Sequence, residues 1–322
     1  MTATPQDVQA KLAQAAILIN EASNEAGQLV APPPPPSGFG VWAWDVQSLA
    51  VDPNSAALVA SMLATTPHGW ASASQAVAVR TSTTTCYAVT GLGHGLDPTV
   101  EVPDGTQAGL TSDHHLLIVD EVTGRTHDMW EAKFDTNGHL VSCSGGISYD
   151  TLPVRAYTPQ GGSANASDVP SQPSALTPAD VKAGVASRTL RFGCHLPGPG
   201  PVRYPAAPWA SPYTNGTAGN PPLGTLFRLP QTAVLPSTAA PLERCIFNTL
   251  KLHGAVLTDG GSSLTFRAVD QGGGGQGAQA WANVGVTMVT SGGAISGLKC
   301  GTVYQMTLIP WAQLEAVVPP AG

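Results

Sequence analysis

The run SDHHLLIVDEVTGRTHDMWEAKFDTNGHLVSCSGG, residues 112–146, carries two hairpin signals in succession. Apolar residues from Leu116 to Val119 lead into Glu121-Val122-Thr123-Gly124, with Gly124 placed to take the positive φ of a tight turn. Asn137-Gly138 marks the second turn. Residues 112–135 also hold three histidines and six acids. Strand geometry sorts them, because alternate side chains share a face. Asp113 and His115 point one way and His114 the other. Past the turn, His127, Met129 and Glu131 share a face, and Asp128 and Trp130 share the opposite one. A three-residue loop puts Glu131 across from His115. A four-residue loop brings Asp128 to that face instead, since a one-residue slip reverses every side chain.

The whole chain repeats the β signature. Its 322 residues are 42% hydrophobic and only 11% charged, against roughly 25% charged in ordinary soluble domains. The 36 glycines and 29 prolines favour short strands and turns over long helices. Net charge is −7 with no basic cluster, which argues against nucleic acid as a partner. No apolar run approaches the roughly 18 residues of a membrane span. The opening MTATPQDVQAKLAQ lacks a basic region followed by an apolar one, so no signal peptide is read there. Cys86, Cys143, Cys194, Cys245 and Cys300 lie far apart and read as buried thiols.

Three regions follow from the pattern. Residues 1–30 are expected to be a helix, with Thr4 as N-cap and Pro5 at the first helical position. Val8, Leu12, Ala15, Ile19, Ala22, Ala26 and Leu29 recur at spacings of 4 and 3, a coiled-coil seam for a homo-oligomer, expected as a trimer. The alternative is one amphipathic helix lying on its own domain. Residues 31–40 contain five consecutive prolines and read as a polyproline spacer of roughly 15 Å. Residues 41–322 are expected to form an antiparallel β-sandwich or jelly-roll head with one or two short helices. Its blocks are 41–157 and 177–322, on either side of a surface loop over 158–176. In the second block TPADVKAG and PLERCIFNTLKLHG predict helices, and AVLTDGGSSLTFRAV predicts a hairpin over Asp259-Gly260-Gly261.

Two groups of residues are candidates for a site. Asp113, His115, Asp128 and Glu131 are the catalytic candidates. They suit a general acid and base acting on a glycan, or a structural cluster with Asp113 capping a turn and His115 bonded in its strand. The absence of HxH and HExxH spacing argues against a metal site, and no cofactor is expected. No GxSxG motif occurs, and GGGGQG (272–277) lacks the context of a phosphate loop. Tyr204, Trp209 and Tyr213 are the ligand-binding candidates. They lie in one Pro-stiffened tract, and sugar rings pack on such aromatics. Trp42, Trp44 and Trp70 are further aromatics of this kind. The alternative is that the rings plug the ends of the fold.

Four stretches in order, SDHHLLIVDEVTGRTHDMWEA, LTPADVKAGVASRTLRF, NPPLGTLFRL and IFNTLKLHGAVLTDGGSSLTF, resemble the pattern SDRHxLxxD…YELWxA, xxEVxAGxIxHALRF, xPPMGxRxRL and ILQALKxYGMxLADNGSxW. That pattern belongs to secreted β-sandwich proteins of actinobacteria, without an assigned activity, and is similar to tail or fibre sequences of actinobacterial phages. Asp113, His115, Asp128, Arg188, Asp259 and Gly260 fall on it. This chain departs from it at His127-Asp128 and in the tract after His195. With the missing export signal, the heptad helix, the proline spacer and the low-charge β head, the resemblance points to a phage virion protein of minor-tail or tail-fibre type, made in the host cytoplasm. It would attach to other virion proteins through its N-terminal segment, and its non-catalytic head would bind a cell-envelope glycan. The alternatives are a glycan hydrolase or lyase on the same β scaffold, and a capsid decoration or head-fibre protein.

Overall fold

The computed structural model describes residues 45–65, 69–150, 164–207, 210, 213–261, 263–275, 277–287, 289–290 and 302–319. All of them belong to the unit Gly38–Gly322. The expected stem helix and proline spacer, together with Trp42, Trp44 and Trp209, lie outside the described residues.

The described part is mainly β. In chain order the strands are β1 Gly69–Arg80, β2 Cys86–Thr90, β3 Thr99–Pro103, β4 Leu116–Asp120, β5 Arg125–Trp130, β6 Lys133–Phe134, β7 Leu140–Ser142 and β8 Gly145–Asp150. They continue with β9 Leu190–His195, β10 Leu226–Arg228, β11 Ala255–Gly261, β12 Leu264–Gln271, β13 Val289–Thr290, β14 Thr302–Met306 and β15 Glu315–Val317. The helices are α1 Ser55–Thr65, α2 Pro178–Ala183, α3 Pro241–Leu252 and α4 Ala278–Ala282.

Among the described residues an eleven-stranded sheet runs β15-β10-β11-β9-β12-β1-β4-β5-β8. β14 joins the first half of β1 and carries β13 on its other side. The sheet is mixed, which corrects the all-antiparallel reading. β1 runs parallel to both β12 and β4, and β9 runs parallel to β11. Parallel neighbours need long crossovers. The chain supplies them through the hairpin β2–β3 between β1 and β4, and through β10 and α3 between β9 and β11. Side-chain alternation reports which face is buried and is blind to strand direction. The expected hairpin over Asp259-Gly260-Gly261 is corrected for the same reason: β9 lies between β11 and β12.

One face of the sheet is apolar. α1 and α3 set Leu58, Met62, Leu242, Ile246 and Leu250 against Phe192, Phe266 and Leu257. Farther along, the hairpins β2–β3 and β6–β7 cover Ala76, Ala78, Leu116, Ile118 and Met129. The two helix signals of residues 177–322 are met, and α1 and α4 exceed the one or two short helices expected. Thr177 and Asp180 form a reciprocal capping box at α2, and Pro241 opens α3. Glu243 at α3 is 3% exposed and accepts the amides of Ala240, Thr307 and Leu308, which ties the helix to the chain after β14.

The opposite face is covered by residues 164–176, which corrects their reading as a surface loop. Ser167, Val169, Ser171 and Ser174 are buried. A polar segment can be buried when it satisfies its own backbone. Asn165 accepts from the amide and hydroxyl of Ser167 and donates to the Val169 carbonyl. Val169 packs into a small apolar cluster with Leu226, Val256 and Val317.

Candidate functional site

The hairpin of Leu116–Asp120 with Arg125–Trp130 has a four-residue loop. Asp120 pairs with Arg125 across residues 121–124, and Gly124 takes φ 69°. Asp128 therefore pairs with Leu117, on the face away from Leu116, Ile118 and Met129. His115 lies on that same face, one residue before the Leu116–Ala76 pair. Gln75 stands in the equivalent place on β1, immediately before Ala76. Tyr149 of β8 pairs with Thr126, on Asp128's side.

Glu131 is not part of this arrangement. It leaves the ladder at φ 51°, its amide bonds the Asp113 carbonyl, and its carboxylate accepts from Ser144 at 2.6 Å. His127 faces the other way and meets the Ser148 hydroxyl at 2.8 Å.

Two bulges bring the remaining residues to this face. In β1, Ala71 and Ala73 point into the helical core, so plain alternation would send Gln75 there as well. The register shifts between Ala73 and Gln75, and Gln75 is turned to the opposite side. In β11, Leu257 points into the helical core, and a shift between Leu257 and Asp259 does the same for Asp259. Asp259 then pairs with Gly193, whose neighbours Phe192 and Cys194 face the helices. Arg191 and Arg267 complete the polar face from β9 and β12.

The groups interact. Arg191 Nη2 donates to Gln75 Oε1. Arg267 Nη2 lies 3.4 Å from Asp259 Oδ2. Tyr213 OH donates to Asp259 Oδ1 at 3.3 Å and accepts the Gly260 amide at 2.8 Å. Gly260 has no room for a side chain, because a Cβ would stand 2.4 Å from the Tyr213 hydroxyl. From the cover, the Ser171 amide donates to Asp128 at 3.1 Å and the Gln172 amide to Tyr149 OH at 3.0 Å.

Gln75, His115, Asp128 and Arg191 form a floor no more than 2% exposed. Asp113, Asp259 and Tyr213 form a half-buried rim, with Arg267 between floor and rim.

Burial dominates the protonation states. It pushes Asp128 up to about 6, against the opposing pull of Arg191 and the Ser171 amide. It lowers Arg191 to about 10, although Asp128 favours its charge. His115 is held well below the usual imidazole range by burial first, then by Arg267 and Arg191. The Asp259 carboxyl is raised by burial, and the nearby Asp113 charge adds to that, while Arg267 opposes it. Burial also raises Tyr213.

Four buried polar atoms of this floor have no hydrogen-bond partner: Gln75 Nε2, His115 Nδ1, Asp128 Oδ1 and Arg191 Nε. Each such group costs a fold about 1–3 kcal/mol. Four of them on one sheet face, with two bulges aiming groups at it, mark the site. Among the described residues no group of three or more His, Cys, Asp or Glu is placed to hold a metal ion.

Of the candidates from sequence, His115, Asp128, Asp113 and Tyr213 are brought together and Glu131 is set apart. Tyr204 is 37% exposed beside Pro205. Gln75, Arg191, Asp259 and Arg267 were not singled out as site residues. LRF and LTDGG in the resemblance pattern carried Arg191 and Asp259, and Gln75 and Arg267 had no local signal. Comparison with family models, curated proteins and solved structures finds no match. The site therefore stands on its own chemistry.

Proposed function

We propose that residues 41–322 form the glycan-binding head of a phage fibre or minor tail protein, with the polar sheet face as the ligand site. The observation that carries this reading is the set of unpaired buried polar atoms beneath a rim holding the Tyr213 ring. An aromatic face next to directed polar groups suits a sugar, whose CH face stacks while its hydroxyls bond. The sparse charge, the heptad seam at Val8–Leu29 and the order of the four resembling motifs support the fibre part. The seam would make the stem a trimer attached to other virion proteins, and repeated weak sites would gain avidity.

The test is co-sedimentation of the full chain with purified host cell walls. Retention of the wild type, with at least tenfold weaker retention of Tyr213→Ala, supports the reading. Equal retention of both removes the ligand site from this face, and failure of the wild type to sediment removes the glycan reading.

A second reading has one observation in its favour. Asp259, a carboxyl raised by burial, lies near Asp113 on the rim, and two neighbouring carboxyl groups in unlike surroundings are the pairing used in glycoside cleavage. Turnover of cell-wall glycan by the wild type, lost in Asp113→Ala and in His115→Ala, would select this reading over simple binding.

A further inference from the structure

The floor of the site says which kind of group it takes. Its four unpaired atoms are two donors and two acceptors. Gln75 Nε2 and Arg191 Nε carry hydrogens. Asp128 Oδ1 is an acceptor when the carboxyl is ionised. His115 has a hydrogen bond to the Met129 backbone that favours its protonated ring, so a ring N–H donates to that carbonyl. Its Nδ1 has no partner, so the donating nitrogen is Nε2 and Nδ1 presents a lone pair.

The four atoms belong together. Arg191 bonds Gln75, and its charge acts on both Asp128 and His115. Gln75 and His115 precede paired residues on adjacent strands.

A carboxylate, or a phosphate group carrying no proton, offers only acceptors. It would pair with Arg191 and Gln75, leave His115 Nδ1 facing another lone pair, and meet the Asp128 carboxylate as a like charge. An ammonium ligand offers only donors and meets the opposite conflict. A hydroxyl both donates and accepts, so two neighbouring hydroxyls match two donors and two acceptors.

Resting on the glycan reading, we infer that Gln75, His115, Asp128 and Arg191 form a deep subsite for a pair of adjacent hydroxyls on a neutral sugar ring, and that the site rejects acidic sugars and phosphate. The rim at Asp113, Arg267 and Tyr213 gives the way in. The turn at Ser171-Gln172, whose amides donate to Asp128 and Tyr149, closes the floor from the cover.

The experiment is calorimetric titration of the full chain with a panel of neutral methyl glycosides, with glucuronate and with inorganic phosphate. It is repeated on His115→Phe, Gln75→Met and the control Glu131→Gln. The expected result is saturable binding of at least one neutral methyl glycoside, at least tenfold tighter than glucuronate or phosphate. It weakens at least tenfold in His115→Phe and Gln75→Met and is unchanged in Glu131→Gln. Gln75→Met keeps the test open if His115→Phe does not fold.

Tighter binding of phosphate or glucuronate overturns the inference. So does neutral-sugar binding that neither floor variant alters. A third outcome is ordered water only: no glycoside binds, and the floor variants merely raise the unfolding temperature. In that case the inference falls. Cell-wall retention by the wild type then decides separately whether the glycan reading survives elsewhere on the head.

Discussion

The Arg191 guanidinium in β9 is hydrogen-bonded to the Gln75 side chain in β1, although β12 lies between their strands. The bond depends on the β1 bulge, which turns Gln75 away from the helical core. Arg191 Nε and Gln75 Nε2 are left without partners. Two long polar side chains thus span a sheet face with one nitrogen of each unmet, an arrangement that costs stability and that a ligand would complete.

The hairpin register separates Asp128 from Glu131, and substitution should do the same. Asp128→Asn removes the negative charge facing Arg191 and is expected to weaken glycan binding at least tenfold. Glu131→Gln, on the outer side of the ladder beside Ser144, should leave binding unchanged. Parallel binding isotherms of the two variants check this.

His115 gives the chain a pH signature. Its proton affinity in the folded state is depressed below the ordinary 6.5, chiefly by burial. As pH falls, the unfolded chain takes up the proton first, so stability present above about 6.5 is lost at lower pH. The slope for one such group is about 1.4 kcal/mol per pH unit. Asp128, raised to about 6, acts in the opposite sense as pH falls from about 6 to 4, so the comparison is made against a variant. Between pH 6.5 and 5.5 the wild type should lose about 1 kcal/mol relative to His115→Gln in urea unfolding. Parallel curves would show that His115 titrates normally.

Gly260→Ala would drive a methyl group into the Tyr213 hydroxyl and break its bonds to Asp259 and the Gly260 amide. The expected loss is about 2 kcal/mol at roughly 1 kcal/mol per hydrogen bond, read by denaturant unfolding. Tyr213→Phe removes the same two hydrogen bonds and should lose about as much.

Glu243→Ala leaves the amides of Ala240, Thr307 and Leu308 without their carboxylate. Stability should fall by about 3 kcal/mol, a drop of roughly 6–12 °C in the unfolding midpoint. Scanning calorimetry checks it, and glycan affinity measured below the transition should not change.

The elements specified by neighbouring residues were legible in the sequence. Thr177-Pro178 and Pro241 announced their helices, and Gly124 and Asn137-Gly138 announced their turns. Both registers of the first hairpin were also set out, and the loop length selected the one with Asp128. What escaped was set by pairing at a distance. Strand direction leaves no trace in alternation, so the parallel neighbours of β1 and the insertion of β9 between β11 and β12 were hidden.

The bulges were hidden for a related reason. An extra residue is defined only against a partner strand, so plain alternation from Ala71 and Ala73 would place Gln75 in the core. Arg191 and Arg267 carry no local sign of a site, because nothing local says that both faces of their strands are covered. Residues 164–176 read as solvent-exposed from composition, yet their serines and Asn165 bond to one another and close over the sheet.

The most direct test of the site is calorimetric titration of host cell-envelope oligosaccharides into the full chain, the wild type compared with Arg267→Met and Asp259→Asn. If the polar sheet face is the ligand site, the wild type binds saturably and both variants bind at least tenfold more weakly, with unfolding midpoints within a few degrees of the wild type. Undiminished binding by well-folded Arg267→Met and Asp259→Asn would contradict this.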